Sequence, residues 1–304
     1  MNELQWLADR FEEKRARLRA VAYRILGSLS EADDAVQETW LRLSRSETSQ
    51  VEDLTAWLTT IVARVSLNMV RSRYARHEAR DGPHLPDPMV DLPEGTNPEH
   101  EAMLADSVGL ALQVVLQTLN PPERLAYVLH DMFDMPFDEI ARIMECSPQS
   151  ARQLASRARR RARSADPLAN SDRGARKAAV DAYFAAARDG NLEALIALLH
   201  PNIVLRSDRG PKPAGASVVV HGAKAVADRA MMFSRLGLEY KPALINGTPG
   251  LVCLRDGQRF SVIGFTIADH KITEMYILAD LDRLSHLDLS AFEKSSGSQQ
   301  STCC

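Results

Sequence analysis

The chain has 304 residues, 45% of them hydrophobic and 25% charged, which is enough for two or three domains with packed cores. Its net charge of −3 excludes a general binder of polyanions. Positive charge is instead concentrated in two places, around residues 71–80 and 152–163. The four cysteines lack metal-ligand spacing, and no apolar run approaches about 18 residues, so we expect a cytoplasmic protein without a membrane span.

Two amphipathic helices are predicted at the start of the chain. The first covers residues 3–27 and ends at Gly27, and the second covers residues 31–45. Ser30 is predicted to cap the second helix, with Asp33 at its third helical position. One side of the second helix is apolar, and the other carries an acidic stripe made of Asp34, Gln37, Glu38 and Arg42. A docking surface and an ordinary solvated face are both compatible with this stripe.

A third helix is predicted over residues 56–80. Its inward positions are apolar at helical spacing: Leu58, Ile61, Val62, Val65 and Met69. Arg64, Asn68 and Arg71 share the opposite side, and the end of the helix is basic. Residues 80–107 are predicted to be a linker, because prolines, glycines and acids exclude a long helix before Pro98. Two helices then follow over residues 108–133, separated by Asn120, Pro121 and Pro122.

Residues 137–163 are predicted to form a helix-turn-helix. Glu145 and Cys146 make the turn, Ser147 is the N-cap and Pro148 is the first residue of the second helix. Six arginines and no acid lie between Ser147 and Arg163. Because Arg reads guanine and Gln reads adenine, the pattern favours a DNA-reading helix over an ordinary basic helix pair. The outward positions of this reader face are Gln149, Arg152, Gln153, Ser156, Arg157 and Arg160.

These motifs together carry a resemblance to a family. DDAVQETWLRL followed by AWLTTIVARVSLNMVRSR resembles domain 2 of bacterial RNA polymerase sigma factors, and the helix-turn-helix resembles domain 4. The ordered pair covers about the first 165 residues and is similar to the extracytoplasmic-function (ECF) class. The resemblance implies two partners, promoter DNA and core RNA polymerase, the latter bound through its β′ coiled coil and β flap. It implies no cofactor.

The resemblance also assigns roles to individual positions. The acidic stripe, Asp34, Gln37, Glu38 and Arg42, matches the polymerase-docking positions, and four residues match the side that opens the −10 element: Arg64, Asn68, Arg71 and Arg73. Arg152, Gln153 and Arg157 match the −35 reader. One departure concerns Glu145, which stands where the family usually has Gly. A non-Gly residue in left-handed geometry costs about 1 kcal/mol, so a wider turn is expected.

The composition changes after a second hinge at residues 164–172. Two helices separated by Gly190 are followed by a break at Pro201 and then by strands, with turns at Asn246-Gly247, Asp256-Gly257 and Asp269-His270. Helices first and strands after predict an α+β cone with a curved antiparallel sheet. This pattern resembles the SnoaL-like fold over roughly residues 173–285.

Three short motifs resemble those of ECF sigma factors that carry a fused SnoaL-like domain (group 41). GPHLPDPM at 82–89 is similar to the linker motif, with His84 in place of Trp; DGGGK stands as residues 208–212 and NPDKL as residues 280–284. The resemblance implies that the fused domain replaces a separate anti-sigma protein. We expect it to contact the linker through these residues: Leu85, Pro86, Asp87, Pro88, Asp208, Lys212, Asn246 and Gly247.

The predicted organisation is sigma domain 2 (1–79), linker (80–107), sigma domain 4 (108–167), SnoaL-like domain (168–290) and a disordered tail (291–304) containing Cys303 and Cys304. The expected function is that of an ECF sigma factor and not of an enzyme. One alternative is a helix-turn-helix regulator that does not engage polymerase. Another is a SnoaL-like isomerase or cyclase with a DNA-binding appendage, whose candidate bases are Asp208, His221, Tyr240 and Asp280. An unknown small molecule bound for sensing is a third.

Overall fold

The chain divides into two units in its computed structural model, which describes residues 3–46, 53–75, 84–93, 109–163, 173–210 and 217–293. The first unit comprises Met1–Ala79, Pro98–Val108 and Leu112–Asp166, and the second comprises Arg80–Asn97, Gly109–Ala111 and Pro167–Cys304. The two predicted sigma domains therefore share one unit, and the start of the predicted linker belongs with the C-terminal segment. Lys212, Cys303 and Cys304 lie outside the described residues.

Three long helices open the first unit: α1 (Glu3–Leu26), α2 (Leu29–Leu43) and α3 (Leu54–Ala75). Gly27 ends α1 with a φ of +76°, as predicted. The predicted cap of α2 is wrong, because Ser28 and not Ser30 is the N-cap and accepts a hydrogen bond from the Glu31 N–H. Ser28 and Glu31 have the spacing of a capping box, so the helix begins two residues before the predicted start.

Four further helices complete the described part of the first unit: α4 (Leu110–Thr118), α5 (Pro121–Tyr127), α6 (Phe137–Met144) and α7 (Pro148–Arg163). A π-helical turn, Val128–Met132, extends α5. Asn120 caps α5 by accepting a hydrogen bond from the Glu123 N–H at 3.0 Å, which confirms the predicted separation of α4 from α5. The helices of the predicted sigma domain 4 thus begin and end where the Asn-Pro-Pro and Ser-Pro signals place them.

Buried polar contacts join the two helical groups inside the first unit. Arg124 on α5 is 2% exposed, and its guanidinium donates to the Ile25 carbonyl of α1 at 2.8 Å. Gln113 on α4 donates to the Tyr23 carbonyl at 2.9 Å. A buried guanidinium is stable only when its donors are paired, so these contacts fix how α4 and α5 pack against α1.

A seven-stranded sheet forms the second unit: β1 (Val90–Asp91), β2 (Leu199–Asp208), β3 (Val218–His221), β4 (Glu239–Ile245), β5 (Thr248–Arg255), β6 (Gln258–Ala268) and β7 (Lys271–Leu278). The strand order is β1-β4-β5-β6-β7-β2-β3. The sheet is mixed and not wholly antiparallel as predicted, because β2 pairs with β7 in parallel. The three predicted turns are confirmed, and both central residues of each have positive φ, the geometry that joins twisted hairpin strands.

The helices of the second unit are α8 (Arg173–Arg188), α9 (Leu192–Leu198), α10 (Ala223–Ser234), α11 (Leu281–Ser285) and α12 (Ser290–Glu293). The first three pack on one face of the sheet around a core that includes Tyr183, Leu195, Val226 and Phe265. Two details differ from the sequence prediction. Pro201 lies inside β2, where the pairing register shifts, and α10 was not predicted.

Candidate polymerase, DNA and linker sites

The acidic stripe lies on the solvent-facing side of α2. Asp34, Gln37 and Arg42 are exposed, and Glu38 is half-buried. Glu38 accepts a hydrogen bond from Arg42 Nε at 2.8 Å, an i, i+4 pair that keeps both side chains on one face. Leu41 is also exposed and supplies an apolar edge. The opposite side of α2 is buried, so the stripe is available to a partner without any change in the helix.

Three of the four candidate −10 residues share the exposed side of α3. Arg64, Asn68 and Arg71 are all exposed, and Arg64 Nη2 donates to the Arg142 carbonyl of α6 at 3.1 Å. Arg73 lies elsewhere: it donates to the Leu26 carbonyl at 3.1 Å and pairs with Glu31 at 3.2 Å. Two residues turn a helix by about 200°, so Arg73 faces away from Arg71. Its contacts are those of a residue that joins α3 to α1 and α2.

The helix-turn-helix keeps a tight turn. Ser147 accepts a hydrogen bond from the Ser150 N–H at 3.1 Å, and Pro148 is the first residue of α7, as predicted. The expectation of a wider turn is wrong. Glu145 adopts the left-handed conformation itself (φ 56°, ψ 45°), and the Cys146 N–H bonds the Ala141 carbonyl at 3.0 Å. The side chain of Glu145 is exposed, so the conformation strains only its own backbone.

The reader face of α7 is exposed along its whole length: Gln149, Arg152, Gln153, Ser156, Arg157 and Arg160. The inner face is a row of buried alanines, Ala151, Ala155, Ala158 and Ala162, which lets α7 pack closely on its neighbours. The arrangement has the features of a recognition helix, a small inner face and an outer face rich in Arg and Gln.

Two of the reader arginines also have contacts within the protein. Arg157 Nε lies 3.1 Å from the carboxylate of Glu123, which is only 4% exposed and also pairs with Arg161. The guanidinium of Arg152 lies 5.5 Å from the ring centroid of Phe137. By contrast, Gln149 and Gln153 carry no such ion pair or ring contact within the described residues. A change at either glutamine therefore tests DNA reading with the least disturbance of the fold.

The segment 84–93 is clamped to the sheet unit by one arginine. Arg283, the first-turn residue of α11 that stands for Lys in the NPDKL motif, donates Nε to Asp87 Oδ1 at 2.8 Å and Nη1 to Asp208 Oδ2 at 2.8 Å. Its Nη2 donates to the Leu85 carbonyl at 2.6 Å. The side chains of Arg283, Asp87 and Asp208 are 15%, 11% and 4% exposed. The two carboxylates and the guanidinium thus form a largely desolvated network, here called the linker clamp.

Asp208 remains ionised within the clamp. Burial alone would raise the pKa of its carboxyl, but hydrogen bonds from His84 and from the Leu85 and Gly210 N–H groups, with the charge of Arg283, hold that pKa below its ordinary value. The Leu85 N–H donates to Oδ2 at 2.9 Å, and the Gly210 N–H donates to Oδ1 at 3.0 Å. Asp208 therefore acts as a charged acceptor for the linker.

A second set of contacts continues the linker along the sheet. The Met89 N–H donates to Asn246 Oδ1 at 3.1 Å, and the Asn246 N–H donates to the Met89 carbonyl at 2.8 Å. Val90 and Asp91 then pair with Ile245 and Leu244 as the outermost strand on that side. Leu85, Pro86 and Pro88 are buried, and Gly247 forms the turn with Asn246. The expected linker contacts of Leu85, Asp87, Asp208 and Asn246 are thus present.

The four candidate bases are not brought together in one catalytic arrangement. Asp208 has a lowered pKa where a general base in an apolar site needs a raised one, and Asp280 accepts hydrogen bonds from the Asp282 and Arg283 N–H groups as the N-cap of α11. His221 is exposed at the end of β3, and Tyr240 packs against Phe184 with ring centroids 5.1 Å apart. Among the described residues, no cluster of His, Cys, Asp and Glu could hold a metal ion.

Comparison with known proteins identifies the family. The sequence profile of Sigma-70 region 2 matches residues 11–76, and that of Sigma-70, region 4 matches residues 109–161. The ECF RNA polymerase sigma factor SigJ of Mycobacterium tuberculosis is 36% identical over 294 residues, which cover 90% of this chain and 92% of that protein. The chain belongs to the ECF RNA polymerase sigma factors.

Two further comparisons extend over nearly the whole of this sigma factor. A crystal structure of the Mycobacterium tuberculosis extracytoplasmic function sigma factor SigJ matches with a TM-score of 0.76 and 34% identity, covering 91% of this chain and 98% of that one. The probable ECF sigma factor SigI of Mycobacterium tuberculosis is 28% identical, with 90% of this chain and 93% of that protein covered. The similarity therefore includes the C-terminal α+β unit as well as the two sigma regions. Its relatives are sigma factors and not enzymes.

Neither the helices of the sigma regions nor those of the C-terminal unit, as far as residues are described, are long and apolar enough to cross a membrane. Sequence reasoning missed two residues that organise this sigma factor. Arg283 was passed over because the motif around it departs from NPDKL, although its charge is retained. Glu123 follows two prolines and reads as a helix-start acid, so nothing in its local pattern indicates a buried partner for Arg157 and Arg161.

Proposed function

We propose that this ECF sigma factor docks on core RNA polymerase through the acidic stripe of α2. Support comes from the exposure of Asp34, Gln37 and Arg42 and from the Glu38–Arg42 pair that orders the stripe. The β′ coiled coil is the proposed partner of the stripe, and the β flap is the proposed partner of sigma domain 4. Exposed charges of this kind steer association and set specificity more than they add affinity.

Promoter recognition is assigned to two exposed faces. Arg64, Asn68 and Arg71 are proposed to act at the −10 element, where a cationic groove stabilises unpaired bases. The reader face of α7 is proposed to enter the major groove of the −35 element, with Gln149 and Gln153 at base edges. Arg73 is left out of the −10 set, because its contacts with Leu26 and Glu31 hold it on another side of α3.

The C-terminal unit is proposed to regulate the sigma regions by holding the linker. The linker clamp is the observation that carries this proposal, since Arg283 contacts Asp87, Asp208 and the Leu85 carbonyl at once. A linker fixed at residues 84–91 restricts the separation that sigma domains 2 and 4 can reach along DNA. Such a fused domain needs no separate anti-sigma protein.

Run-off transcription tests the function. Bacterial core polymerase is combined with the full chain, with a truncation after Pro167 and with the clamp variant Arg283→Gln, on the promoter upstream of this protein's own gene. We expect transcripts with a defined start. The amount of transcript made with each altered protein, divided by the amount made with the full chain, gives the sign of regulation. Equal transcription from all three would contradict regulation through the clamp.

Two negative patterns separate the alternatives. Silence from every protein together with failure to bind core polymerase would favour a DNA-binding regulator. Turnover of a small molecule by the C-terminal unit would favour the enzyme alternative.

A further inference from the structure

Two arginines of the C-terminal unit, neither of them a member of the linker clamp, meet at one aromatic ring. Arg209 follows β2, and Arg229 lies on α10. The guanidinium carbon of each is 5.7 Å from the ring centroid of Phe233. All three side chains are half-buried, so one side of the group is reachable from solvent. Arg209 is particular to this chain, since it stands where the DGGGK motif has Gly.

The nearby carboxylates do not neutralise this pair. Asp208 is committed to Arg283 and the Leu85 N–H, and Asp228 pairs with Lys224 at 2.9 Å. Asp280, whose carboxylate lies beside Gly210, accepts hydrogen bonds from the Asp282 and Arg283 N–H groups. The adjoining segment 211–216 contains no Asp or Glu in its sequence. Within the part of the chain that the structure describes, the buried Nε atoms of both arginines have no hydrogen-bond partner. Two cationic groups thus share a partly desolvated position without a matching anion among these neighbours.

This arrangement has an energetic cost. Burial first, and then the positive charge of Arg209, lowers the pKa of the Arg229 guanidinium. Phe233 offsets part of that cost through its π-face, which attracts both cations. A cation–π contact engages the charge of a guanidinium and does not use up its N–H donors. The N–H edges of a guanidinium are suited to bidentate hydrogen bonds with a planar or tetrahedral oxyanion.

We propose that Arg209 and Arg229, supported by Phe233, form a binding site for a small oxyanion that carries a phosphate or carboxylate group. A single such group neutralises both arginines and accepts from both N–H edges. A polyanion such as DNA requires a row of exposed cations along its backbone, and two half-buried arginines on one ring fit one compact anionic group better. Arg209 directly follows Asp208 in sequence, but the proposed site shares no residue with the linker clamp.

Titration calorimetry on the full chain tests the site without polymerase or DNA. Sodium phosphate and sodium succinate are the probes, with sodium chloride at matched ionic strength as the reference. We expect saturable binding of at least one probe, weakened at least tenfold in both Arg209→Gln and Arg229→Gln. Arg235→Gln is the matched control, because Arg235 is an exposed arginine at the end of the same helix.

Further variants guard against loss of the fold. Arg209→Lys and Arg229→Lys retain the charge and lose the fork, so we expect intermediate affinity with an unchanged circular dichroism spectrum. Equal affinity in the wild type and in both Gln variants would overturn the site, as would heat signals no larger than those of chloride. Binding of duplex DNA but of neither probe, lost in both Gln variants, would replace the small oxyanion by a nucleic acid and overturn the proposal.

Discussion

Arg283 connects segments of the second unit that are far apart in sequence. Its three donor groups reach two carboxylates and one carbonyl that lie 75 to 198 residues away in sequence. A Lys at this position would supply a single point charge, whereas the fork of Arg engages Asp87 and Asp208 together. Arg in place of Lys in the NPDKL-like motif therefore preserves the positive charge and allows one side chain to bind both carboxylates.

Arg283→Gln is expected to destabilise the second unit by about 3 kcal/mol, the lower end of the range for removing one partner of a buried ion pair. The reason is that the buried carboxylates of Asp87 and Asp208 would lose the guanidinium that pairs with both of them. Urea unfolding followed by circular dichroism measures the change. Arg255→Gln is the matched control, since Arg255 is exposed at the end of β5. A change for Arg283→Gln no larger than that of the control would show that the clamp contributes little.

The lowered pKa of Asp208 predicts a pH dependence with a definite sign. Its folded pKa lies below the ordinary value of about 3.9, so the unfolded chain binds more protons in that range and stability falls as pH falls below about 4. We expect the difference in melting temperature between wild type and Asp208→Asn to be large at pH 6 and to shrink at pH 3. A constant difference, or one like that of the exposed Asp189→Asn, would refute a charged Asp208.

At the scale of the element, α7 carries some residues that are proposed only to read DNA and others that also hold the helix in place. Gln153→Ala is expected to alter −35 preference by about 1–3 kcal/mol at one base pair while leaving the melting temperature unchanged. Arg157→Ala should instead lower both transcription and stability, because it removes one of the two arginines that pair with the buried carboxylate of Glu123. Run-off transcription on a panel of single −35 changes, with melting curves, distinguishes the two. An unchanged preference in Gln153→Ala would remove that residue from the reader set.

The turn between α6 and α7 offers a test of local strain. Glu145→Gly is expected to stabilise the chain by up to about 1 kcal/mol, since left-handed geometry costs a non-Gly residue roughly 1–2 kcal/mol and the greater freedom of Gly in the unfolded chain offsets part of the gain. Chemical unfolding measures this difference, and Ser150→Gly on the exposed face of α7 should destabilise under the same conditions. Destabilisation by Glu145→Gly would show that the Glu side chain makes a compensating contact.

The elements that sequence predicted well are those with strong local signals. The N-cap at Ser147, the helix break at Asn120-Pro121-Pro122 and the three hairpin turns depend on a few neighbouring residues, and all were confirmed. β1 was missed because two residues carry no strand periodicity, and the parallel pairing of β2 with β7 depends on contacts between distant segments. Arg73 was grouped with Arg71 because the resemblance to the family matched both to the −10 side, whereas helical geometry places them on different sides of α3.

At the scale of the whole molecule, the acidic stripe predicts how this sigma factor meets core polymerase. Asp34→Lys with Glu38→Lys is expected to abolish binding to core polymerase. The fold should stay intact, because neither side chain is among the buried residues of α2. Co-purification with core polymerase measures binding, and circular dichroism measures the fold. Asp181→Lys with Asp189→Lys makes the same change in net charge on exposed positions of the second unit. Retention of core binding by the α2 variant would refute the docking role of the stripe.

The division into units shows what a linear reading of domains leaves out. Sequence composition placed a spacer between two sigma domains, yet the described part of that spacer packs with the C-terminal unit through Asp87, Met89 and β1. The contacts that join this segment to the C-terminal unit are polar and specific, and no periodicity in the sequence predicts them. The resemblance to sigma factors with a fused domain supplied the expectation that Leu85, Asp87, Asp208 and Asn246 meet, and the distances above agree with it.

The distance in sequence between the linker and its partner also matters during translation. Asp87 leaves the ribosome 196 residues before Arg283, the partner that fixes it. At a translation rate of about 5–20 residues per second, the linker segment waits about 10–40 s without its clamp. Both sigma regions are completed within that interval, before β4 to β7 are made. Each copy of this sigma factor therefore has both sigma regions before the C-terminal unit that is proposed to regulate them is complete.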